Sequence, residues 1–240
     1  MTEDSNPAGR LRAILLAGKE EDRALPAEQI WARLLKVKED DHATLLNRLG
    51  HVLALPSQIE RGLAQIPGIE KERYLNWVPK VKQSFSNLNL AQNWAAFINP
   101  IDDAVMDGLG TCSDQLRRVQ TSPTVEENQL EEILESAKAL FDEVMASTID
   151  QPVRQYLLKH LEAVTRAVEE YQIQGAEVLR AAVHELIGSI VAQPEFYSKT
   201  RETETGTKFW DFMGRIAIVV GITSGVVALA DKVVGLLPPA

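Results

Sequence analysis

The chain has a single cysteine, Cys112, among its 240 residues. One cysteine excludes an internal disulfide and a zinc site built on cysteines, and it fits a reducing compartment. The first ten residues are acidic and polar and lack the apolar segment of a secretory signal, so we expect no signal peptide. A formal charge of −9 disfavours non-specific binding of nucleic acid by the whole surface, although a local basic patch is still allowed.

Catalytic motifs and strand patterns are also missing. The sequence contains no HExxH, no glycine-rich phosphate loop and no GxSxG, and its four histidines are scattered. The period-two alternation of apolar residues that is typical of half-buried strands is not found. We therefore expect an all-α protein that is not an enzyme and that uses no cofactor or metal.

Apolar residues recur at helical spacing along most of the chain, and the second half is the most regular part. Thr124-x-x-Glu127 predicts a capping box, and the residues that follow it form an amphipathic pattern. Short links to two further helical segments predict antiparallel neighbours in a bundle. We expect a mobile N-terminus over residues 1–25, a bundle over residues 26–193 with a possible subdivision near residue 122, and a polar tether over residues 194–208.

The longest apolar run lies at the C-terminus, where residues 216–230 carry no charge. A helix over residues 216–237 would reach about 33 Å, which is enough for the hydrocarbon core of a bilayer. Aromatic residues at 209–212 and basic residues between 199 and 215 precede the run, as at a cytoplasmic membrane interface. The sequence thus predicts an all-α multi-helix soluble bundle followed by a single C-terminal transmembrane helix over residues 209–237. The expected location is the bacterial inner membrane, single-pass and tail-anchored, with the N-terminal domain in the cytoplasm.

The charged pair Asp231 and Lys232 counts against this span, since charges inside a membrane are costly. One alternative is a hydrophobic helix, or two short helices broken at Gly221 or Gly225, buried in a soluble core. Another alternative is a helix that lies in the plane of the membrane interface.

Small residues within the run recur every four positions and predict a face for association between membrane helices. We therefore expect a homo-oligomer, although glycine is common in membrane helices for other reasons. The residues of this face are Ala217, Gly221, Ser224 and Gly225.

Aromatic residues are interleaved with cations in the first half of the chain, a pattern that is typical of proteins that stack bases and hold phosphates. The expected ligand is a nucleotide or a single-stranded oligonucleotide. The alternative is that the aromatic side chains pack in the core and the cations are merely solvated. The candidate residues are Lys71, Arg73, Tyr74, Trp77, Lys80, Lys82, Arg117 and Arg118.

Arg154 and His160 resemble the Arg-x4-6-His signature of the all-α HEPN ribonucleases. In that family the histidine would act in proton transfer and the arginine would stabilise the phosphate charge. The alternative is a chance match, which is expected about once in a chain with this many arginines and histidines.

Residues 150–177 and 45–59, together with the hydrophobic tail, resemble membrane effectors of bacterial antiphage systems, such as the effector of the Hailong system. This resemblance implies an oligomeric membrane protein that a nucleotide-derived ligand holds silent and that permeabilises the inner membrane once released. The expected partners are membrane lipid and, as the source of a nucleotide-derived regulator, a nucleotidyltransferase.

The leading hypothesis is therefore a membrane effector of antiphage defence, whose C-terminal helix oligomerises to permeabilise the inner membrane under control of a ligand on the bundle. One alternative is a membrane-tethered, non-enzymatic binding or scaffold protein that recruits partners through the helices of residues 130–187. A HEPN-like ribonuclease is the other alternative.

Overall fold

A computed structural model describes residues 6–119 and 123–222. These residues form α-helices and one 3₁₀ turn, and they contain no β-strand beyond an isolated bridge between Pro26 and Asn93. The all-α prediction is thus confirmed. The chain divides into two compact units. Unit 1 comprises Met1–Thr121 and Gln172–Gly175, and unit 2 comprises Ser122–Tyr171 and Ala176–Ala240.

Unit 1 is built around α1, which packs on α3 and α6. Its core contains a cluster of aromatic rings, in which Trp31 lies 5.2 Å from Trp94 and 5.0 Å from Phe97, centroid to centroid. The Trp94 indole also donates a 2.6 Å hydrogen bond to the carbonyl of Gly18. The helices are α1 (Pro7–Lys19), α2 (Ala27–Leu34), α3 (His42–Ala64), α4 (Val78–Ser86), α5 (Ala95–Ile98) and α6 (Asp103–Arg117), with the 3₁₀ turn at Lys71–Tyr74.

The first helix corrects the expectation of a mobile N-terminus. Asn6 accepts hydrogen bonds from the amides of Ala8 and Gly9 and so caps α1. The same side chain donates to the hydroxyl of Ser113 over 2.9 Å, which ties the start of α1 to α6. Leu11 is fully buried in the core of unit 1. Burial and capping therefore hold this segment in place from residue 6 onward.

Helix α3 is longer than its sequence suggests, because Pro56 lies inside it. Proline removes one backbone donor and normally marks a helix boundary. In the structure α3 runs from His42 to Ala64. Val52, Leu55, Ile59 and Leu63 are buried at three- and four-residue spacing on both sides of Pro56. Burial of this continuous stripe outweighs the lost hydrogen bond.

Unit 2 is the bundle predicted for the second half of the chain. Helix α7 packs on α8, α10 packs on α8, and α12 packs on α7. The capping box lies two residues later than predicted, since the Glu126 amide donates to the side chain of Gln129. The helices are α7 (Glu127–Ala146), α8 (Gln151–Glu169), α9 (Tyr171–Gln174), α10 (Ala176–Ala192), α11 (Pro194–Arg201) and α12 (Glu204–Val219), and all of α9 after Tyr171 belongs to unit 1.

The segment expected to be a polar tether, residues 194–208, forms α11 and the first turns of α12. A tight corner joins the two helices. The Trp210 indole donates a 2.9 Å hydrogen bond to the buried hydroxyl of Thr200. Gly206 passes so close that a Cβ there would lie 1.9 Å from the Thr200 carbonyl oxygen. This segment is therefore packed and not a linker.

The predicted membrane helix is a second correction. Among residues 6–119 and 123–222, no helix is both long enough and apolar enough to cross a bilayer. The prediction of a transmembrane helix over residues 209–237 is therefore wrong, and so is the single-pass location in the inner membrane. Phe209, Trp210 and Phe212, expected at a membrane interface, are buried in the core of unit 2 together with Met213. Ser224, Gly225 and the rest of the predicted span beyond Ile222 lie outside the described residues.

The end of α12 explains why this helix stops at Val219, inside the apolar run. Gly221 adopts a positive φ of 77°, which is accessible to glycine at little cost. The Ile222 amide donates to the Ala217 carbonyl and the Gly221 amide to the Ile218 carbonyl, which together form a Schellman motif. Arg180 of α10 also donates a 3.0 Å hydrogen bond to the carbonyl of Val220, the residue immediately before Gly221. Gly221, predicted as part of a helix face, is instead a helix stop.

Replacing Gly221 tests this stop. Gly221→Ala should lower the free energy of unfolding of unit 2 by about 1 kcal/mol, because alanine disfavours a positive φ. Gly214→Ala is the matched control. Gly214 lies within α12 with open space around its Cα, so alanine should raise the free energy of unfolding by about 0.5–1 kcal/mol.

Urea denaturation and hydrogen exchange of the α12 amides would measure both effects. A helix that continued through residue 221 would be stabilised by both substitutions, and that result would contradict the structure.

Candidate functional site

The aromatic residues of the predicted ligand site do not offer free ring faces. Trp77 is 2 % exposed, and its indole donates a 3.4 Å hydrogen bond to the sulfur of Cys112. Tyr74 is half-buried, and its carbonyl accepts from the Cys112 thiol over 3.2 Å. Burial raises the pKa of that thiol, so Cys112 is a core residue with little thiolate character. Trp94 is fully buried. Base stacking needs exposed rings, and these positions do not provide them.

Most cations of the predicted site are paired with carboxylates. Lys82 Nζ lies 2.9 Å from Glu60 Oε1, and Arg73 Nε lies 2.6 Å from Glu70 Oε2. Paired charges attract a phosphate less than free ones, which argues against a phosphate site here. Lys80 pairs with Asp102 and Arg117 with Asp114, while Lys71 and Arg118 are exposed.

The two residues of the HEPN-like motif do not form a joint site. His160 is 1 % exposed, whereas Arg154 is half-buried and donates a 3.5 Å hydrogen bond to the carbonyl of Ser147. A histidine that transfers protons must reach its substrate, and His160 lies in the core of unit 2. The geometry therefore gives no support to a nuclease.

His160 instead belongs to a buried polar cluster between α8 and α10. Ser189 Oγ lies 3.1 Å from His160 Nε2 and 2.9 Å from the Tyr156 hydroxyl. The Ser189 proton goes to the Leu186 carbonyl, 2.6 Å away, so Ser189 Oγ accepts from both neighbours. The hydrogen-bond network thus assigns the imidazole proton to Nε2. A histidine in this tautomer cannot take the serine proton, so the pair is not a nucleophile with its base.

Burial also fixes the charge state of this cluster. Desolvation, followed by the neighbouring charge of Lys159, lowers the pKa of His160 to about 4, while Glu185 acts weakly in the opposite direction. Desolvation raises the pKa of Tyr156. His160 Nδ1 has no hydrogen-bond partner among the described residues. The cluster is therefore neutral at pH 7 and holds an unpaired acceptor in an apolar surrounding.

A different surface stands out in unit 1, on the outer side of α3. Leu46 is 57 % exposed and Leu53 is 43 % exposed. Gly50 lies between them with no atom within 4 Å of an added Cβ. We call this surface the α3 face, and its exposed residues are Ala43, Leu46, Asn47, Gly50, Leu53, Ala54 and Ser57.

The α3 face carries no charged side chain, which is unusual for the outer side of a helix in a water-exposed protein. Outward helix faces normally hold charged and polar residues. Single exposed leucines are common, but a contiguous apolar surface is typical of a binding site. Asn47 and Ser57 are its only polar side chains.

Apolar spacing alone does not find this face, because Leu46 and Leu53 stand next to buried apolar residues in the sequence. A signal was available. From His42 to Ile59 the helix has one full charge, Arg48, which is buried and donates to the carbonyls of Leu35 and Lys36. A helix that is apolar on all sides must be covered on all sides or bind something.

Comparisons of the chain with protein-family models, with curated proteins and with solved structures find no match. The resemblance to antiphage effectors therefore depends on the sequence segments alone and stays a prediction. Among residues 6–119 and 123–222, no group of His, Cys, Asp and Glu side chains is arranged to hold a metal ion.

The pKa of His160 predicts a dependence of stability on pH. The imidazole takes up a proton near pH 6.5 in the unfolded chain but only near pH 4 in the folded one. Its contribution to stability is therefore complete above pH 6.5 and is lost as the pH falls toward 4. Between pH 7 and pH 5 the loss should be about 2 kcal/mol in the free energy of unfolding.

Comparing the wild type with His160→Gln isolates this contribution, since the amide does not titrate. His184→Gln, at an exposed position on α10, is the control and should keep the wild-type pH dependence. Urea denaturation at pH 7, 6 and 5 measures how the free energy of unfolding of each of the three proteins changes with pH. An equal change for the wild type and His160→Gln would contradict a buried neutral imidazole.

Proposed function

We propose that the protein is a non-enzymatic binding protein that holds a protein partner on the α3 face. The observation that supports this proposal is the uncharged, apolar and exposed surface between Ala43 and Ser57, with two leucines that are about half exposed. The sequence offered a binding or scaffold protein as an alternative, with the helices of residues 130–187 as its binding surface. We propose α3 as the binding surface instead.

Physical chemistry favours a protein partner for this surface. Covering each half-exposed leucine contributes about 1 kcal/mol of hydrophobic free energy. No charged group on the face has to be desolvated, so the cost that opposes burial of ionic surfaces does not arise. The face extends over about four turns of α3, which fits a helix laid along it.

Membrane permeabilisation through the C-terminal helix is not part of this proposal, because no helix of residues 6–119 and 123–222 is long enough and apolar enough to cross a bilayer. The nucleotide regulator and the nucleotidyltransferase partner stay predictions. Pairing of four of the candidate cations with carboxylates argues against the nucleotide regulator.

Site-specific photo-crosslinking tests the proposal. A benzophenone amino acid at Asn47, in cells that make the protein, should give adducts whose second protein is identified by mass spectrometry. The same probe at Glu135, an exposed position on α7, is the control and should give few adducts. Equal yields at the two positions would contradict a binding role for α3.

A double variant, Leu46→Lys with Leu53→Lys, should abolish the adducts at Asn47. Both side chains are exposed, so the free energy of unfolding should change by no more than about 0.5 kcal/mol for each substitution. Circular dichroism and urea denaturation confirm that the variant is folded. Adducts that persist at the wild-type level would show that the face is not the surface bound.

A further inference from the structure

We infer that the partner of the α3 face is the α3 face of a second copy of this chain, with the two helices antiparallel and crossing at Gly50. This inference depends on the proposed function, because it uses the same face, and it names the partner. Two observations support it: the opposite charges at the two ends of α3, and the sizes of the side chains along the α3 face between those ends.

The two ends of the face carry opposite charges. Glu39 and Asp40 are exposed immediately before the first turn of α3, and although Lys38 lies beside them, this end is net acidic. Arg61 is exposed near the last turn and has no ion-pair partner among the described residues. An antiparallel partner brings each end against the opposite end of the other copy. Acidic and basic groups then meet at both ends of the pair.

The charged groups lie beyond the α3 face on both sides of Gly50. Arg61 lies about 17 Å from Gly50 along the axis, at about 1.5 Å per residue. In the other direction α3 begins at His42, about 12 Å from Gly50, and Glu39 and Asp40 lie in the turn just before it. A two-fold axis at Gly50 therefore places Arg61 of each copy near Glu39 and Asp40 of the other. A parallel pair would instead put like charges together, which is unfavourable.

Side-chain sizes across the same axis are also complementary. Antiparallel pairing about residue 50 sets Leu46 against Ala54 of the second copy, and Leu53 against Asn47. A large side chain thus meets a smaller one at each step. At the crossing point Gly50 has open space and no side chain, so the two backbones can approach closely. Such a contact is isologous, the usual arrangement of a two-fold dimer.

The size of the contact sets its strength. A single helix pair buries less surface than the roughly 800 Å² per partner of a standard interface. We therefore expect a reversible dimer with a dissociation constant in the micromolar range, about 1 to 100 µM. Sedimentation velocity over that range of concentration should show a shift from 26.6 kDa, the mass of one chain, toward twice that mass.

Disulfide trapping of the purified full-length chain tests the geometry. Gly50→Cys should crosslink with itself under mild oxidation, because residue 50 lies on the two-fold axis. Ala43→Cys and Ser57→Cys should each fail alone, since equivalent residues are about 21 Å apart along the axis, but a mixture of the two should crosslink. The native Cys112 is buried and does not interfere.

Glu135→Cys measures the background from random collisions, as Glu135 is exposed on α7. Crosslinking of Gly50→Cys at the background rate would overturn the inference. Self-crosslinking of Ala43→Cys or Ser57→Cys would also overturn it, because that pattern requires parallel helices.

Charge reversal gives a second test that does not disturb the fold. Arg61→Glu should raise the dissociation constant about tenfold, since it replaces two attractive contacts, one on each side of the axis, with repulsive ones. Adding Glu39→Arg and Asp40→Arg to that variant should restore the affinity. Arg118→Glu, the same change at another exposed arginine of unit 1, is the control and should leave the affinity unchanged. A failure of the triple variant to recover would overturn the pairing.

The outcome separates this inference from the proposed function. If the purified chain stays monomeric while the probe at Asn47 captures a different protein in cells, the inference fails and the proposed function stands. If the probe at Asn47 captures nothing, both fail. An adduct of two copies of this chain supports both.

Discussion

Burial of the aromatic face of α12 is the interaction on which unit 2 depends. Phe209, Trp210, Phe212 and Met213 are buried, and α12 packs against α7 and α10. Large aromatic side chains contribute more to a core than any other residue type. The corner at Gly206 and the hydrogen bond from Trp210 to Thr200 fix the direction in which α12 enters the bundle. Without this face α7 and α10 would each leave an apolar side open.

The same face explains why the apolar composition of α12 led to the wrong prediction of a membrane helix. Apolar side chains leave water for a protein interior as readily as for lipid, so a run of apolar residues predicts burial without naming what covers it. The deciding features are local and conformational. Gly221 stops the helix with a positive φ, and Arg180, which is distant in sequence, binds the carbonyl at that stop. A break at Gly221 was one alternative that the sequence allowed, but nothing in the hydropathy pattern favoured it.

Regular amphipathic helices could be predicted, and elements that depend on distant contacts could not. The helices of unit 2 up to α10 follow from three- and four-residue spacing of apolar side chains, with short links between them. Helix α1 was missed because its stability comes from Asn6, whose side chain bonds Ser113 over a separation of 107 residues. The predicted ligand site had the same weakness. Lys82 and Lys80 pair with Glu60 and Asp102, each 22 residues away in sequence, and the side chain of Trp77 is buried.

Helix α3 differs from α12 in how its apolar surface is covered. In α12 the apolar surface is covered by the rest of unit 2, whereas on α3 part of it is exposed to water. Exposed leucine surface costs free energy in the isolated chain, and the cost is removed when that surface is covered. Because Arg48 turns inward to the end of α2, the outer side keeps its only charges beyond the two ends of the face. A surface that is uncharged at its centre and oppositely charged at its ends is complementary to itself only when one copy is turned end for end, and this is why the pairing that we propose is antiparallel.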